Sequence, residues 1–458
     1  MLLKYFYDKA LAQASYMVGC EQTGEALVVD PSRDITLYLT AARQEGLRIA
    51  HVTETHIHAD FASGSRELAA HTGATLYLSA MGGAEWTYQF EGVPLRDRDS
   101  WTVGSVCIEA LHTPGHTPEH LAFQVTDTAT ADAPIGLFTG DFLFAGDVGR
   151  PDLLETAEAT ETGAYQQFAN LQRFRAMPDY LQVWPGHGAG SACGKSLGAI
   201  PSTTLGYEKL FNPAFQYHDV RAFVRWLLAD QPEAPRYFAH MKRINKAGPT
   251  LLADLCVPAL LDHAALEAAL RAKMLVIDTR SMNDFARRHM AGTLSIPLSS
   301  NSFTTYVGWF VDYDKPTYLI AEEAEFERVV RQLRAIGVDD IAGCFTPEMI
   351  DGNTPPLSHL SPQELHDRQD SVMLIDVRAA SEHQRQHIPG AKHIHFGHLR
   401  HHLHELPCET PVALHCASGM RSHIAASYLQ TQGFYNVVNL AGGIEAWEKA
   451  GFPVEKGM

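Results

Sequence analysis

Residues 55–61 read Thr55, His56, Ile57, His58, Ala59, Asp60, Phe61, so two imidazoles and a carboxylate fall at alternate positions. On extended backbone that spacing puts the two rings on one side, and imidazole is a ligand for zinc, copper, iron and nickel. Later segments supply the same residue types: His112 to His116 around Pro114 and Gly115, then Gly140-Asp141, then Pro185-Gly186-His187-Gly188. His51 and His112 read instead as structural histidines. A different chemistry is written near the end of the chain. The apolar residues 412–415 run into Cys416-Ala417-Ser418-Gly419-Met420-Arg421, and Ser422 opens a helical pattern. A cysteine between a strand end and a helix start faces unpaired backbone N–H groups and the positive helix end. With Arg421 alongside, that setting favours thiolate and a strong nucleophile.

The elements that must position these groups are short. Residues 26–30, 48–52, 74–78, 106–108 and 137–139 are β-prone runs, and helical patterns at 35–46 and 64–72 alternate with them. An α/β layered domain follows, with Gly and Pro turns placing His or Asp at strand ends along one rim. Residues 205–250 read as connecting helices, with Val220, Phe223, Trp226 and Leu227 at helical spacing. The basic cluster Lys242, Arg243, Lys246 reads as a solvated face. Loop residues 188–196 are small and bring Cys193 toward the rim, with Lys195 placed to lower its pKa.

In 458 residues, 53 Asp and Glu outweigh 36 Lys and Arg, a net charge of −17 that argues against nucleic acid and anionic membrane as partners. No apolar run reaches spanning length, and Lys4, Asp8 and Lys9 interrupt any signal-peptide core. The seven cysteines, at 20, 107, 193, 256, 344, 408 and 416, show neither a disulfide framework nor a Cys-x-x-Cys zinc spacing. Thiols in a reducing cytoplasm are the expectation.

The ordered set His-x-His-x-Asp, Gly-His, Gly-Asp, Pro-Gly-His over roughly residues 1–200 resembles the metallo-β-lactamase superfamily. The resemblance implies two sheets packed face to face, helices outside, and metal at one edge. Two-zinc hydrolases of that superfamily, glyoxalase II among them, carry His after the motif's Asp; here that residue is Phe61, which cannot ligate. His56, His116 and Asp141 then remain as one site, the two-imidazole, one-carboxylate set of non-haem Fe(II) oxygenases. Within the superfamily the sequence looks most like the persulfide dioxygenases. That likeness implies one Fe(II) per chain on His56, His116 and Asp141, with His58, Asp60 and His187 around them orienting ligands or moving protons. It also implies a substrate-clamping Arg150 in Gly149-Arg150; from the loop residues themselves, Cys193 beside Lys195 reads as a thiol able to carry sulfur. A single-zinc thioester hydrolase of glyoxalase II type fits the same three ligands.

The second half repeats itself. Asp278 and Asp376, Arg280 and Arg378, Asp284 and Glu382, His289 and His387, and Gly292 and Gly390 recur at one offset of 98 residues. Two homologous domains, 255–350 and 358–458, are expected, each a small parallel-sheet α/β unit. Their Asp-x-Arg and the closing Gly442-Gly443-Ile444 resemble rhodanese sulfurtransferases, whose catalytic loop has six residues from Cys to Arg, as 416–421 does. Tyrosine phosphatases, with seven, fit less well. In the first copy Ala321 stands at the cysteine's place with Glu322, Glu323 and Glu325 behind it, so that copy is inactive. The histidine-dense run 393–404 reads as solvated surface.

The order of parts resembles bacterial fusions of persulfide dioxygenase and sulfurtransferase, with residues 1–250 as the oxygenase and its connector. That implies oxidation of a small-thiol persulfide such as glutathione persulfide by O2 to sulfite, with Cys416 and Arg421 transferring sulfur to give thiosulfate. A cytoplasmic homo-oligomer, dimer or tetramer, is expected. A sulfur carrier with a merely structural front domain is the non-enzymatic alternative.

Overall fold

The computed structural model describes residues 1–154, 156–351, 354–407 and 409–457; Cys408 and the last residue of the expected 358–458 domain lie outside them. The chain forms two compact units, Met1–Leu255 with Arg334–Gly337, and Cys256–Leu333 with Val338–Met458. Among the described residues no helix is long and apolar enough to cross a membrane, and the described cysteines are free thiols.

In the first unit β1 (Leu2–Asp8), β2 (Gln13–Cys20), β3 (Glu25–Val29), β4 (Arg48–Thr53), β5 (Thr75–Ser79) and β6 (Val93–Leu95) form a six-stranded sheet in that order. A second sheet holds β7 (Ser100–Val103), β8 (Val106–His112), β9 (Leu121–Asp127), β10 (Gly136–Gly140), β11 (Gln182–Pro185) and β12 (Thr203–Thr204), ordered β12-β11-β10-β9-β8-β7. Side-chain alternation decides the layers. Tyr16, Val18, Leu27 and Val29 share one core with Ile108, Ala110, Phe123, Val125 and Phe138 of the other sheet. The opposite faces of the same strands bury Met17, Ala26 and Val28 against Tyr38, Ala41 and Ala42 of the helix Thr36–Gln44. Leu137 and Val183 likewise meet Ala164, Leu171 and Phe174 of the helix Ala157–Arg175. Strands apolar on both faces therefore make a helix–sheet–sheet–helix sandwich.

The second unit contains two parallel sheets, β14-β13-β15-β16 and β17-β21-β20-β18-β19. Their strands are β13 (Leu275–Asp278), β14 (Leu294–Ser295), β15 (Thr317–Ile320), β16 (Ile341–Phe345), β17 (Ser358–Leu360), β18 (Met373–Asp376), β19 (Lys392–His393), β20 (Val412–His415) and β21 (Val437–Leu440). The offset of 98 persists in three dimensions. Arg280 grips Asp278 through Nε (2.9 Å) and Nη2 (2.6 Å) and donates to Arg288 O. Arg378 grips Asp376 at the same two distances and donates to Gln386 O. Asp278 pairs with Ile320 and Asp376 with His415, so the next residues, Ala321 and Cys416, occupy equivalent positions.

Candidate metal centre and thiol loop

The loop after β4 carries His56, the turn after β8 carries His116, and the end of β10 delivers Asp141. One ligand atom from each lies within 4.8 Å of the others, and all three residues are buried. Asp141 Oδ2 is 3.9 Å from His56 Nε2 and 3.6 Å from His116 Nε2. Each ring turns its Nε2 inward because its Nδ1 is engaged: His56 with Thr55 Oγ1 at 2.9 Å, His116 with Arg150 O at 2.9 Å. Thr55 Oγ1 in turn donates to Asp30 (2.9 Å), so its oxygen is left to accept from His56 Nδ1–H. Burial holds both rings neutral, lowering their pKa values. Both oxygens of Asp141 lack a hydrogen-bond donor. Two neutral imidazole nitrogens facing a buried, donor-free carboxylate form a donor set that fits a divalent cation.

His58, Asp60 and His187 surround this set, but not as one group. His58 packs against the His56 ring (4.2 Å between centroids) while its Nε2 turns away to Asp30 Oδ1 at 3.1 Å. Burial works against a charged ring there, yet Asp30 outweighs it and raises His58 to about 9. Phe61 is 1 % exposed and lies on the His58 ring at 4.4 Å, an apolar wall beside Asp60. His187 Nδ1 donates to Ala12 O (3.1 Å). Its Nε2 is 3.3 Å from Asp60 and 3.5 Å from Asp141 Oδ1.

Asp60 and His187 are not left alone by the loss of a histidine at 61. Cys193 joins them, the three forming a second buried group with ligand atoms within 4.8 Å. The loop arrives there because Asp147 Oδ2 accepts from Lys195 N (2.9 Å) and Ser196 N (2.8 Å). Two expectations about this loop need correction. Lys195 does not lower the Cys193 pKa: its Nζ donates to Trp226 O (2.5 Å) and Ala229 O (3.1 Å) and lies over the Trp226 ring. Burial, with the Asp60 and Asp141 charges, pushes the thiol well up. Nor does Arg150 present a free clamp. Its guanidinium is closed by Asp152 (2.9 and 2.5 Å), Ala192 O (3.0 Å) and Pro232 O (2.7 Å). Arg150 instead fastens the Cys193 loop, while its own carbonyl orients His116.

Several supporting residues escaped the sequence motifs. His120 Nε2 accepts from Asp141 N (3.1 Å), and its ring stacks on His56. Glu119 accepts from Ile57 N at 2.7 Å. Asn245, buried on the helix Phe238–Ala247, accepts from Ser63 N (2.9 Å) and donates to His58 O (2.8 Å) and Phe61 O (2.7 Å). A signal existed only for His120, four residues after His116 in the same turn.

In the second unit Cys416 follows β20 and is 1 % exposed. Gly419 N (3.1 Å) and Ser422 Oγ (3.4 Å) both donate to its sulfur, an arrangement suited to holding anionic sulfur. Gly419 makes the turn with φ +100°, a conformation other residues rarely adopt. The loop's carbonyls are satisfied by the closing helix: Ile444 N donates to Cys416 O (2.8 Å) and Glu445 N to Ala417 O (3.1 Å). A Cβ on Gly443 would sit 2.4 Å from Cys416 O, which is why that position is glycine. Arg421 is not an isolated cation. Glu382 takes Nη1 at 2.6 Å and Nη2 at 2.8 Å.

Residues 8–187 match the family model described as the metallo-β-lactamase superfamily, and residues 361–450 match the rhodanese-like domain. A solved metallo-β-lactamase from Staphylococcus aureus subsp. aureus COL is 42% identical with a TM-score of 0.69, covering 76% of this chain and 99% of that one. The hydroxyacylglutathione hydrolase of a Polaromonas species is 30% identical over 261 residues, 50% of this chain and 93% of that protein. That of Rhodospirillum rubrum is 31% identical over 174 residues, 38% of this chain. The chain spans 60% of the length of the first curated relatives it matches. Given this sandwich, its rim of histidines and these relatives, the chain belongs to the metallo-β-lactamase superfamily and carries a rhodanese-like domain behind that fold.

Proposed function

We propose that this protein is a non-haem iron persulfide dioxygenase coupled to a sulfurtransferase. The observation that carries the proposal is Phe61, buried where a further nitrogen ligand would complete a hydrolytic two-metal pocket. His56, His116 and Asp141 would hold one Fe(II) per chain, which would supply the redox chemistry between O2 and an anionic persulfide sulfur. Asp30 and Thr55 hold the His56 tautomer, the Arg150 carbonyl holds that of His116, and His120 fixes the Asp141 backbone. Asp147 and Arg150 keep the Cys193 loop beside the centre, with its thiol close to Asp60 and His187.

Residues 1–250 then form the oxygenase with its connector, 255–350 a copy without the nucleophile, and 358–458 the transferase. The thiolate of Cys416 attacks the outer sulfur of a thiol persulfide, releasing the small thiolate and leaving a cysteine persulfide. Sulfite attacks that outer sulfur in turn, forming the S–S bond of thiosulfate while the Cys416 thiolate departs with the electron pair. The small-thiol carrier is glutathione by analogy with relatives named hydroxyacylglutathione hydrolase. The setting is a cytoplasmic homo-oligomer, dimer or tetramer, that needs neither nucleic acid nor membrane.

Zinc-dependent thioester hydrolysis is the rival, and one observation favours it: Asp60, His187 and Cys193 offer a carboxylate, imidazole and thiolate set that suits zinc. Elemental analysis of protein purified without added metal, paired with O2 uptake on glutathione persulfide, separates the two. One iron per chain and stoichiometric O2 uptake are expected. Two zincs per chain with O2-independent cleavage of a glutathione thioester would overturn the oxygenase.

A further inference from the structure

The Asp–Arg clamp stands in both copies of the second unit, but another charged pair stands only beside the cysteine. Arg421 lies in the first turn of the helix Met420–Thr431. Gly419 N and Ser422 Oγ, which donate to the Cys416 sulfur, flank it in the chain. Its Nη1 donates to Glu382 Oε2 (2.6 Å) and its Nη2 to Glu382 Oε1 (2.8 Å). Glu382 is fixed from its other side as well, since Oε2 also accepts from Ala379 N (3.1 Å), just after the Arg378 clamp. The two side chains are only 19 % and 28 % exposed, so salt screens the pair less than it would a surface pair. In the other copy the place of Glu382 is taken by Asp284, which accepts from Ser281 Oγ at 2.5 Å. Five residues past Ala321, where Arg421 follows Cys416, stands Phe326, which cannot pair with a carboxylate. The clamp thus goes with the fold, whereas the pair of Glu382 with Arg421 goes with the nucleophile.

Alone, Arg421 would add a full positive charge to the loop. A carboxylate on both of its terminal nitrogens offsets that charge and leaves the N–H, the hydroxyl and the helix end as the loop's attraction for anions. Those donors suffice for singly charged sulfur but lack the cation that a doubly charged oxyanion needs. We propose that Glu382 is a specificity-determining residue of the Cys416 site: by neutralising Arg421 it selects singly charged persulfide sulfur over doubly charged thiosulfate as the sulfur donor. Thiosulfate that accumulates then competes poorly for the thiolate. The proposal rests on the sulfurtransferase reading of Cys416. With either donor the Cys416 thiolate forms an S–S bond to the outer sulfur. The donor's own S–S bond breaks, and its electron pair leaves with the small thiolate or with sulfite.

Glu382→Gln keeps the length and one acceptor oxygen but removes the charge. Without O2, so that no oxygenase consumes the donor, the rate of Cys416 persulfide formation is followed by quenched alkylation and mass, with glutathione persulfide or thiosulfate. The thiosulfate-to-persulfide rate ratio is expected to rise roughly 10-fold or more, the scale of one charge–charge contact near a protein surface. The gain should shrink as salt is raised, and Glu382→Asp, which keeps the charge, should bring the ratio back toward wild type. Sulfite capture is the reverse of the thiosulfate step and should quicken with it. A ratio within twofold of wild type in Glu382→Gln, including equal slowing with both donors, overturns the proposal. Wild-type protein gives a check that needs no variant to fold: its thiosulfate rate should hold or rise with salt, and a steep fall, the mark of an uncompensated cation, overturns the proposal too. Wild-type protein that forms no Cys416 persulfide from either donor would sink the sulfurtransferase reading and this proposal with it, whereas a persulfide that forms with an unmoved ratio sinks the proposal alone.

Discussion

At the scale of single residues, the centre is held by partners that touch no substrate. Asp30 accepts from Thr55 N (2.6 Å) and Thr55 Oγ1, and it adopts φ +51°, where aspartate and asparagine are the tolerated side chains. Asp30→Asn therefore keeps the backbone but weakens the support of His56. Metal affinity, measured by competition with a chelator, is expected to fall about 10- to 100-fold. Phe61→His tests the central premise. It restores an imidazole beside Asp60 and His187, so bound metal should rise from one toward two per chain by elemental analysis; unchanged stoichiometry would show that Phe61 is not what limits it. His56, His116 and Asp141 could be read from the sequence because few residue types ligate metal and each follows a strand end. Asp30, Thr55 and Asn245 could not, because each acts by hydrogen bonding to a segment far away in the chain, and no spacing rule records that.

At the scale of elements, the helix Phe238–Ala247 locks the ligand loop through Asn245. Asn245→Ala leaves a buried N–H and two carbonyls without their partner, at about 1–3 kcal/mol for each unsatisfied group. A lower thermal midpoint and faster metal loss on dialysis are expected together. Strand alternation and the repeat were plain in the sequence, since a period of two and a constant offset are local and countable. The path of residues 188–196 was not: Asp147 draws that loop across the rim and brings Cys193 to Asp60 and His187, a result of tertiary contact alone. The same limit explains Arg150 and Lys195. Their charges were visible, but not the carbonyls that occupy them.

At the scale of the molecule, the second unit keeps three imidazoles neutral by burial: His395 at about 3, His415 at about 4 and His423 at about 3. Unfolded histidines take up protons below about 6.5, whereas these resist until pH 3–4. Their stabilisation is thus present above 6.5 and is lost as pH falls toward 4, each contributing a slope of about 1.4 kcal/mol per pH unit. His423→Gln, which preserves a partner for Ser295 Oγ, should flatten the fall in urea midpoint over that range. For the coupled reaction proposed above, Cys416→Ser should make sulfite accumulate in place of thiosulfate, measured by derivatising the sulfur products.

The twin clamps of Asp278 with Arg280 and Asp376 with Arg378 carry one further consequence. They are superposable in their bonds, yet only one stands beside a nucleophile. Whatever keeps them is therefore architectural, a rivet between strand and following turn. Damage to either should register as a misfolded subunit before it registers as slow turnover.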